Sequence, residues 1–436
     1  MKSENNLEEL DMSFKQWEVL NLEDICVSIT DGAHSSPKSV ENGYPMASVK
    51  DMNYFEINLS TCRQISEEDY LKLVKAKCKP EKNDILIAKD GSYLKHVHVV
   101  KEEKEVVILS SIAILKPNIK KICPEFLRYY LLSPRAKTDL EMGYVSGSAI
   151  RRIVLKDFKR FPVQVPSIGE QKAIAAILSS LDDKIKLNNQ INETLEEMAQ
   201  ALFKRWFVDF EFPNEEGQPY KSSSGEMVES ELGMIPRGWN VLKLDDIGEV
   251  VAGGTPSTKC QEYYDGNISW ITPKDLSGYN RKFIQKGERS ITELGLQKSS
   301  AKMMPKGSVL FSSRAPIGYI TIADNSLCTN QGFKSIVCNE KYMSKNYIYY
   351  LLKQEKDKII SIASGSTFKE VSGTTMKNYK IIVPHLSLLE KFENVVKTHD
   401  DILKKNYTEN DLLTEIRDAL LSKLMSGEIR VSDFES

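Results

Sequence analysis

Trp17-Glu-Val-Leu-Asn-Leu-Glu-Asp-Ile25 recurs in the same chain as Trp239-Asn-Val-Leu-Lys-Leu-Asp-Asp-Ile247. Further pairs follow in the same order: Lys50-Asp-Met52 with Lys274-Asp-Leu276, Asp84-Ile-Leu-Ile-Ala88 with Ser308-Val-Leu-Phe-Ser312, Tyr129-Tyr-Leu-Leu132 with Tyr349-Tyr-Leu-Leu352, and Gly147-Ser148 with Gly365-Ser366. The separation drifts only between 218 and 224 residues, as small loop insertions would cause, and chance does not keep five matches collinear. The chain is one unit written twice, and that repeat sets the architecture.

Each copy changes periodicity part-way. Residues 14–166 and 236–385 mix short β-branched runs with turn residues and a few helical stretches, which predicts two mixed α/β globules in an α+β chain. Residues 168–208 and 386–426 contain no Pro and a single Gly, Gly169, and repeat apolar residues at helical spacing. Ser167 with Glu170, and Ser387 with Glu390, fit capping boxes that follow Pro166 and Pro384; Gly427 is a stop signal for the second helix. The expected organisation is therefore a first globule (14–166), a long helix (167–208), a flexible return linker (209–235), a second globule (236–385) and a second long helix (386–427).

Positions 174, 178, 181, 185, 188, 192, 195, 199, 202 and 206 step by alternating four and three, and adding 218 to each gives the same seam in the second helix. A heptad seam held in phase in both copies predicts an antiparallel coiled coil with a pseudo-twofold axis. About 40 residues at about 1.5 Å each make rods of roughly 60 Å, longer than a globule face needs. The seam carries Asn188 and Asn192 in one helix, Asn406 and Asn410 in the other. Such amides lower stability while fixing register, and the expectation is that the two pairs meet across the helices.

Composition narrows the function by exclusion. The 436 residues are 41% hydrophobic and 28% charged with net charge −2, so no broadly basic polyanion binder is expected. No run of 18 apolar residues occurs and Met1–Ser13 lacks a signal pattern, so no membrane partner is expected and the cytoplasm is the expected compartment. Seven scattered cysteines never form CxxC, which disfavours disulfides and structural zinc. GxGxxG, GxxxxGK[ST], HExxH and GxSxG are missing, and Asp84 lacks the second carboxylate of a two-metal site. His96 and His98 share a strand face without a Cys/His cluster beside them, so no metal is expected. The reading is a chain with no catalytic site and no cofactor of its own. Its basic residues cluster nevertheless: nine lysines against five acids between Lys72 and Lys104, and Arg151, Arg152, Lys156, Lys159 and Arg160 against Asp157 alone between Gly147 and Gln164. Patches of that kind suit phosphates.

With these residues in view, the chain resembles the specificity subunit of type I restriction–modification systems along nearly its whole length. The resemblance rests on Trp17 and Trp239, Asp31-Gly-Ala-His34, Gly253-Gly-Thr-Pro256, Trp270-Ile-Thr-Pro-Lys-Asp275, Ser312-Ser-Arg-Ala-Pro-Ile-Gly318, Asn330-Gln-Gly-Phe333 and Gly365-Ser-Thr-Phe-Lys369. Glu170-Gln171 and Arg205-Trp-Phe-Val-Asp-Phe210 resemble the family's central region. The first copy departs from the second, with Lys89-Asp-Gly91 where the second has Ser313-Arg-Ala315, as two domains reading different bases would.

The resemblance implies that each globule is a target recognition domain for one half of a split, asymmetric double-stranded DNA sequence. It implies that the helices bind two copies of a modification methyltransferase subunit, joined by a restriction/translocase subunit. Adenine-N6 methylation with S-adenosylmethionine and ATP-driven cleavage then belong to those partners only. The motif loops make Lys50, Lys89, Ser92, Tyr93, Arg151 and Arg152 the expected DNA contacts of the first domain, and Lys274, Arg314, Gln331, Thr367 and Lys369 those of the second. Arg and Gln would read guanine and adenine while lysines hold phosphates. The competing reading is a coiled-coil scaffold joining two protein-binding globules with no DNA role.

Overall fold

The computed structural model describes residues 17–90, 96–146, 152–339, 343–365 and 369–431. The chain divides into two compact units, residues 1–188 with 409–436, and residues 189–408. Four helices organise them: α1 (Pro124–Leu132), α2 (Ile168–Phe203), α3 (Lys345–Ser361) and α4 (Leu386–Ser426). Each unit is a mixed α/β globule together with one stretch of each long helix.

In the first unit, Cys26–Asp31, Ile112–Pro117, Ile85–Ala88 and Val97–Val99 form, in that order, an antiparallel four-stranded sheet. Ile85-Leu-Ile-Ala88 has no polar face because both faces are covered. Ile85 and Ile87 join the core shared with α1 and the long helices, whereas Leu86 and Ala88 join a second cluster around Ala47 and Ile108. The second unit repeats the plan with five strands, Gly248–Ala252, Lys334–Cys338, Val309–Ser313, Ile317–Ala323 and Phe283–Ile284. There Val309 and Phe311 face the helices and Leu310 faces away. In both copies the strand after the opening Trp pairs antiparallel with the last strand of the globule, Glu18–Asn21 with Pro162–Val165 and Asn240–Lys243 with Lys380–Val383. Trp17 packs edge-on against Phe126, and Trp239 is enclosed by Phe207, Phe210 and Phe212.

The long helices run antiparallel inside each unit. In the first, Glu170 meets Arg430, Asp182 meets Arg417, and Asn188 Nδ2 donates to Asn410 Oδ1 at 2.9 Å, so one number falls as the other rises. In the second, Asn406 Nδ2 donates to Asn192 Oδ1 at 2.8 Å and Phe203 packs on Phe392. All twenty seam positions are buried or half-buried. Each amide that bonds across the helices must be desolvated to do so, which returns only about 1 kcal/mol net, and replacing both partners by apolar groups is near neutral or stabilising. Changing all four asparagines to Leu should therefore raise the melting temperature by a few degrees while register becomes less unique; calorimetry showing no rise would contradict it.

Three local readings change. Residues 209–235, expected to be a flexible linker, carry a hairpin of Met227–Ser230 and Gly233–Pro236, and Phe212 stacks between Tyr220 and Trp239. The apolar rings among its Gly, Ser and Pro residues fold it onto the second globule. Ser167 caps α2 as expected, accepting from Glu170 N, yet the Glu170 carboxylate is taken by Arg430 at 2.7 and 2.9 Å. Helix α4 spans Leu386–Ser426, so Ser387, expected as its cap, lies inside the first turn, and the His385 carbonyl accepts from Leu388 and Leu389.

His98 is buried on the strand Val97–Val99. Burial first, then Arg128, His96 and Lys186, hold its pKa down at about 3. The folded value lies below the unfolded one of about 6.5, so the stability contributed by the neutral ring is complete above that pH and is lost as pH falls toward 3. Between pH 6.5 and 5 the loss should be about 2 kcal/mol. Urea titrations at the two pH values should show that His98→Phe lacks this part of the acid sensitivity; identical sensitivity in both proteins would refute it.

Candidate nucleic-acid interface

In the first unit the motif loops meet at the end of the strand Ile85–Ala88. Asp31 closes the strand Cys26–Asp31, and its carboxylate receives Lys89 Nζ at 2.6 Å and faces His34 Nε2 at 3.1 Å. Gly32 permits this turn because a Cβ there would lie 2.2 Å from the Ile108 carbonyl oxygen. Arg152 grips Asp90 through two bonds of 2.8 and 3.0 Å, and Ile153 N donates to Lys89 O, so the Arg152 strand is tied to the same strand end. Lys50 stands exposed on the turn Val49–Asp51, which Asp51 braces by accepting from Ser48 and Thr61. That turn touches Ser111, whose carbonyl accepts from Lys89 N. Ser92, Tyr93 and Arg151 lie outside the described residues.

In the second unit four loops gather. Gly253 approaches Asn330 so closely that a Cβ would sit 2.1 Å from its carbonyl oxygen. Thr255 Oγ1 donates to Gln331 Oε1, and Ser313 N donates to Gly332 O at 2.7 Å. Val371 N donates to Ser313 O, which draws in Lys369–Val371. Arg314 and Lys334 both face Glu370, at 3.5 and 3.2 Å. Lys274 pairs with Glu288 at 2.6 Å on the turn Pro273–Leu276, beside Gly332, while Gln331 and Lys369 are exposed. Thr367 lies outside the described residues.

Exposure sorts the expected contacts. Pairs of exposed or half-exposed ions are worth about 0–1 kcal/mol, so exposed Arg152 and Lys274 and half-exposed Arg314 can exchange their carboxylates for a phosphate or base edge at little cost. Lys89 cannot: its side chain is 7% exposed and committed to Asp31, so it braces the loop. In the second unit, where the repeat puts Ser313 opposite Lys89, the buried cation is Lys334, held between Ser313 and Glu370, which sequence reasoning missed. The acids Asp31, Asp90, Glu288 and Glu370 were missed as well. Three of them adjoin or belong to the motifs that mark the basic residues, a signal that charge counting dilutes.

The long helices contribute a different surface. In the first unit Leu187, Leu412 and Ile416 are exposed, and in the second Ile191, Met198, Val395 and Ile402. No helix among the described residues is long and apolar enough to cross a membrane.

A family profile described as "Type I restriction modification DNA specificity domain" matches residues 15–197 and again 236–420, most of the chain. The chain belongs to this family. It is 30% identical to the type I restriction enzyme HindI specificity subunit of Haemophilus influenzae over 80% of this chain and 87% of that one. It is 44% identical to the MjaIX specificity subunit of Methanocaldococcus jannaschii, there over 44% of each chain, less than half that relative's length. The crystal structure of a type I system S subunit from M. genitalium has the same fold, with TM-score 0.56 at 17% identity, covering 94% of this chain and 96% of that one. The family profile thus matches the chain twice, once within each copy of the repeat.

Proposed function

We propose that the chain is the DNA-reading subunit of a type I restriction–modification enzyme. Each globule reads one half of a split, asymmetric target. The two long helices, as an antiparallel coiled coil with approximate twofold symmetry, set the gap between the halves. Two copies of an adenine-N6 methyltransferase subunit dock on the helices, with a restriction subunit completing the enzyme. The exposed Leu, Ile, Met and Val positions on both helices support that docking, because apolar side chains recurring on an exposed helix face suit a protein partner. S-adenosylmethionine and ATP are bound by the partners, and this chain orients DNA for them.

The observation that carries the reading is the gathering, in each of two duplicated globules, of exposed Arg, Lys and Gln side chains on loops held by glycines at close approach. Lys50, Lys274 and Lys369 suit phosphates, and Arg152, Arg314 and Gln331 suit base edges. Loop residues on a rigid scaffold change reading without changing fold. The competing scaffold reading predicts no salt-sensitive duplex binding once the methyltransferase partner is present.

Arg314→Ala tests the assignment within the second half. Losing a bidentate base contact costs about 1–3 kcal/mol, so modification should fall roughly 5- to 150-fold or spread to a second base at one position of one half-site. A variant methylating the same sites at the same rate would remove Arg314 from the interface.

A further inference from the structure

Each globule is held to its long helices by a buried acid at the same place in the repeat. Asp182 on α2 and Asp400 on α4 are separated by 218 residues, the offset of the helical seam. In the first unit Asp182 accepts from Arg128 at 2.9 Å and from Tyr129 at 2.8 Å, both on α1 of the globule, and from Arg417 of α4 at 2.9 Å. Tyr54 lies between the two guanidinium groups, 5.0 and 4.6 Å from their central carbons. In the second unit Asp400 accepts from Lys282 at 2.7 Å and from Asn346 of α3 at 2.8 Å. Glu196 on α2 takes Tyr349, Tyr350 and Lys353 of α3. Both globules therefore grip both long helices through charge, although the residues supplying the cations differ.

Buried ion pairs stabilise little compared with apolar residues of equal volume, because desolvation cancels most of the attraction; what they supply is direction. An apolar contact tolerates sliding, whereas a carboxylate shared by several fixed donors has one satisfactory geometry. Arg128 and Asp182 also line a cavity of about 310 Å³ with His98 and Tyr129, beside the apolar core that α1 shares with the long helices. Lys282 is fully buried with its ammonium against the Tyr350 ring.

We propose that Asp182 and Asp400, with Arg128 and Lys282, are positioning residues that lock each recognition domain on the long helices and so fix the one gap between half-sites that the enzyme accepts. This rests on the split-target reading above. A wild-type enzyme with no bipartite motif would defeat that reading itself, whereas a wild-type bipartite motif with unchanged variants would defeat only the clamp.

The test uses the assembled enzyme and synthetic duplexes whose half-sites are separated by the natural gap or by one base pair more or fewer. The Lys282→Met/Asp400→Leu double variant replaces the ion pair with apolar side chains of similar volume. It should fold, melt near the wild-type temperature, and methylate the off-gap duplexes at least about tenfold faster relative to the natural one than wild type does. Asp182→Asn, whose amide oxygen still accepts from Tyr129 and Arg128, should relax the gap less. A folded double variant with wild-type gap selectivity would overturn the proposal. So would failure of both variants to fold, since the acids would then serve stability and not position.

Discussion

Asp400→Ala should lower the melting temperature of the second unit by roughly 10 °C. The substitution leaves the Lys282 ammonium, with none of its side chain exposed, facing the Tyr350 ring without its carboxylate. Breaking one side of a buried pair costs about 3–5 kcal/mol, because the remaining charge stays desolvated and unpaired. For a unit of about 220 residues each kcal/mol moves the transition by about 2–4 °C. Glu196 remains near the ammonium, held by Tyr349, Tyr350 and Lys353, and keeps the loss toward the low end of that range. Restoring neutrality with Lys282→Met should recover most of the stability. Differential scanning calorimetry of the single and double variants would decide it, and a single variant melting within about 2 °C of wild type would contradict the buried-pair account.

Gly253→Ala should abolish modification while the first unit stays intact. A Cβ at that position meets the Asn330 carbonyl oxygen at 2.1 Å and the Thr329 carbonyl oxygen at 2.4 Å, both backbone atoms that no side-chain rotation can clear. The loop carrying Thr255 must then move away from Gln331, and the hydrogen bonds joining Ser313, Gly332 and Val371 move with it. Reading requires donors held within fractions of an ångström, and loss of one half of the target removes its share of specific binding. A fall of at least about 100-fold in methylation rate corresponds to roughly 3 kcal/mol of lost transition-state binding. The expected result is that rate loss with the first unit's hydrogen-exchange protection unchanged; methylation at the wild-type rate would show that the four-loop cluster does not read DNA.

The repeat made the architecture legible because duplication leaves paired signals that no single motif supplies. The two tryptophans, the twin Tyr-Tyr-Leu-Leu helices and the asparagines at matching seam positions each located an element. The contacts between elements were less legible. Glu170 fits a capping box by spacing, but its carboxylate goes to Arg430, 260 residues away, a partner that local spacing cannot reveal. Lys89 reads as an exposed cation in a lysine-rich stretch, yet it points inward to Asp31, because a strand end carries side chains to alternating sides and counting charge along the chain ignores side. The return segment has the Gly, Ser and Pro of a linker and was misjudged on composition, since the few aromatic rings that fold it are outnumbered by turn formers. Asp182 and Asp400 went unnoticed because each adjoins a heptad position and looked like a solvated neighbour of the seam.

Under the proposed function, the chain gives a methyltransferase a two-part DNA address. Single-molecule sequencing of methylated adenines, in cells expressing the chain with its partner methyltransferase and in cells lacking the chain, measures that address directly. The expected result is one new bipartite asymmetric motif with a constant gap, present only when the chain is expressed. A confirmed complex that adds no motif, or adds a single undivided one, would contradict it.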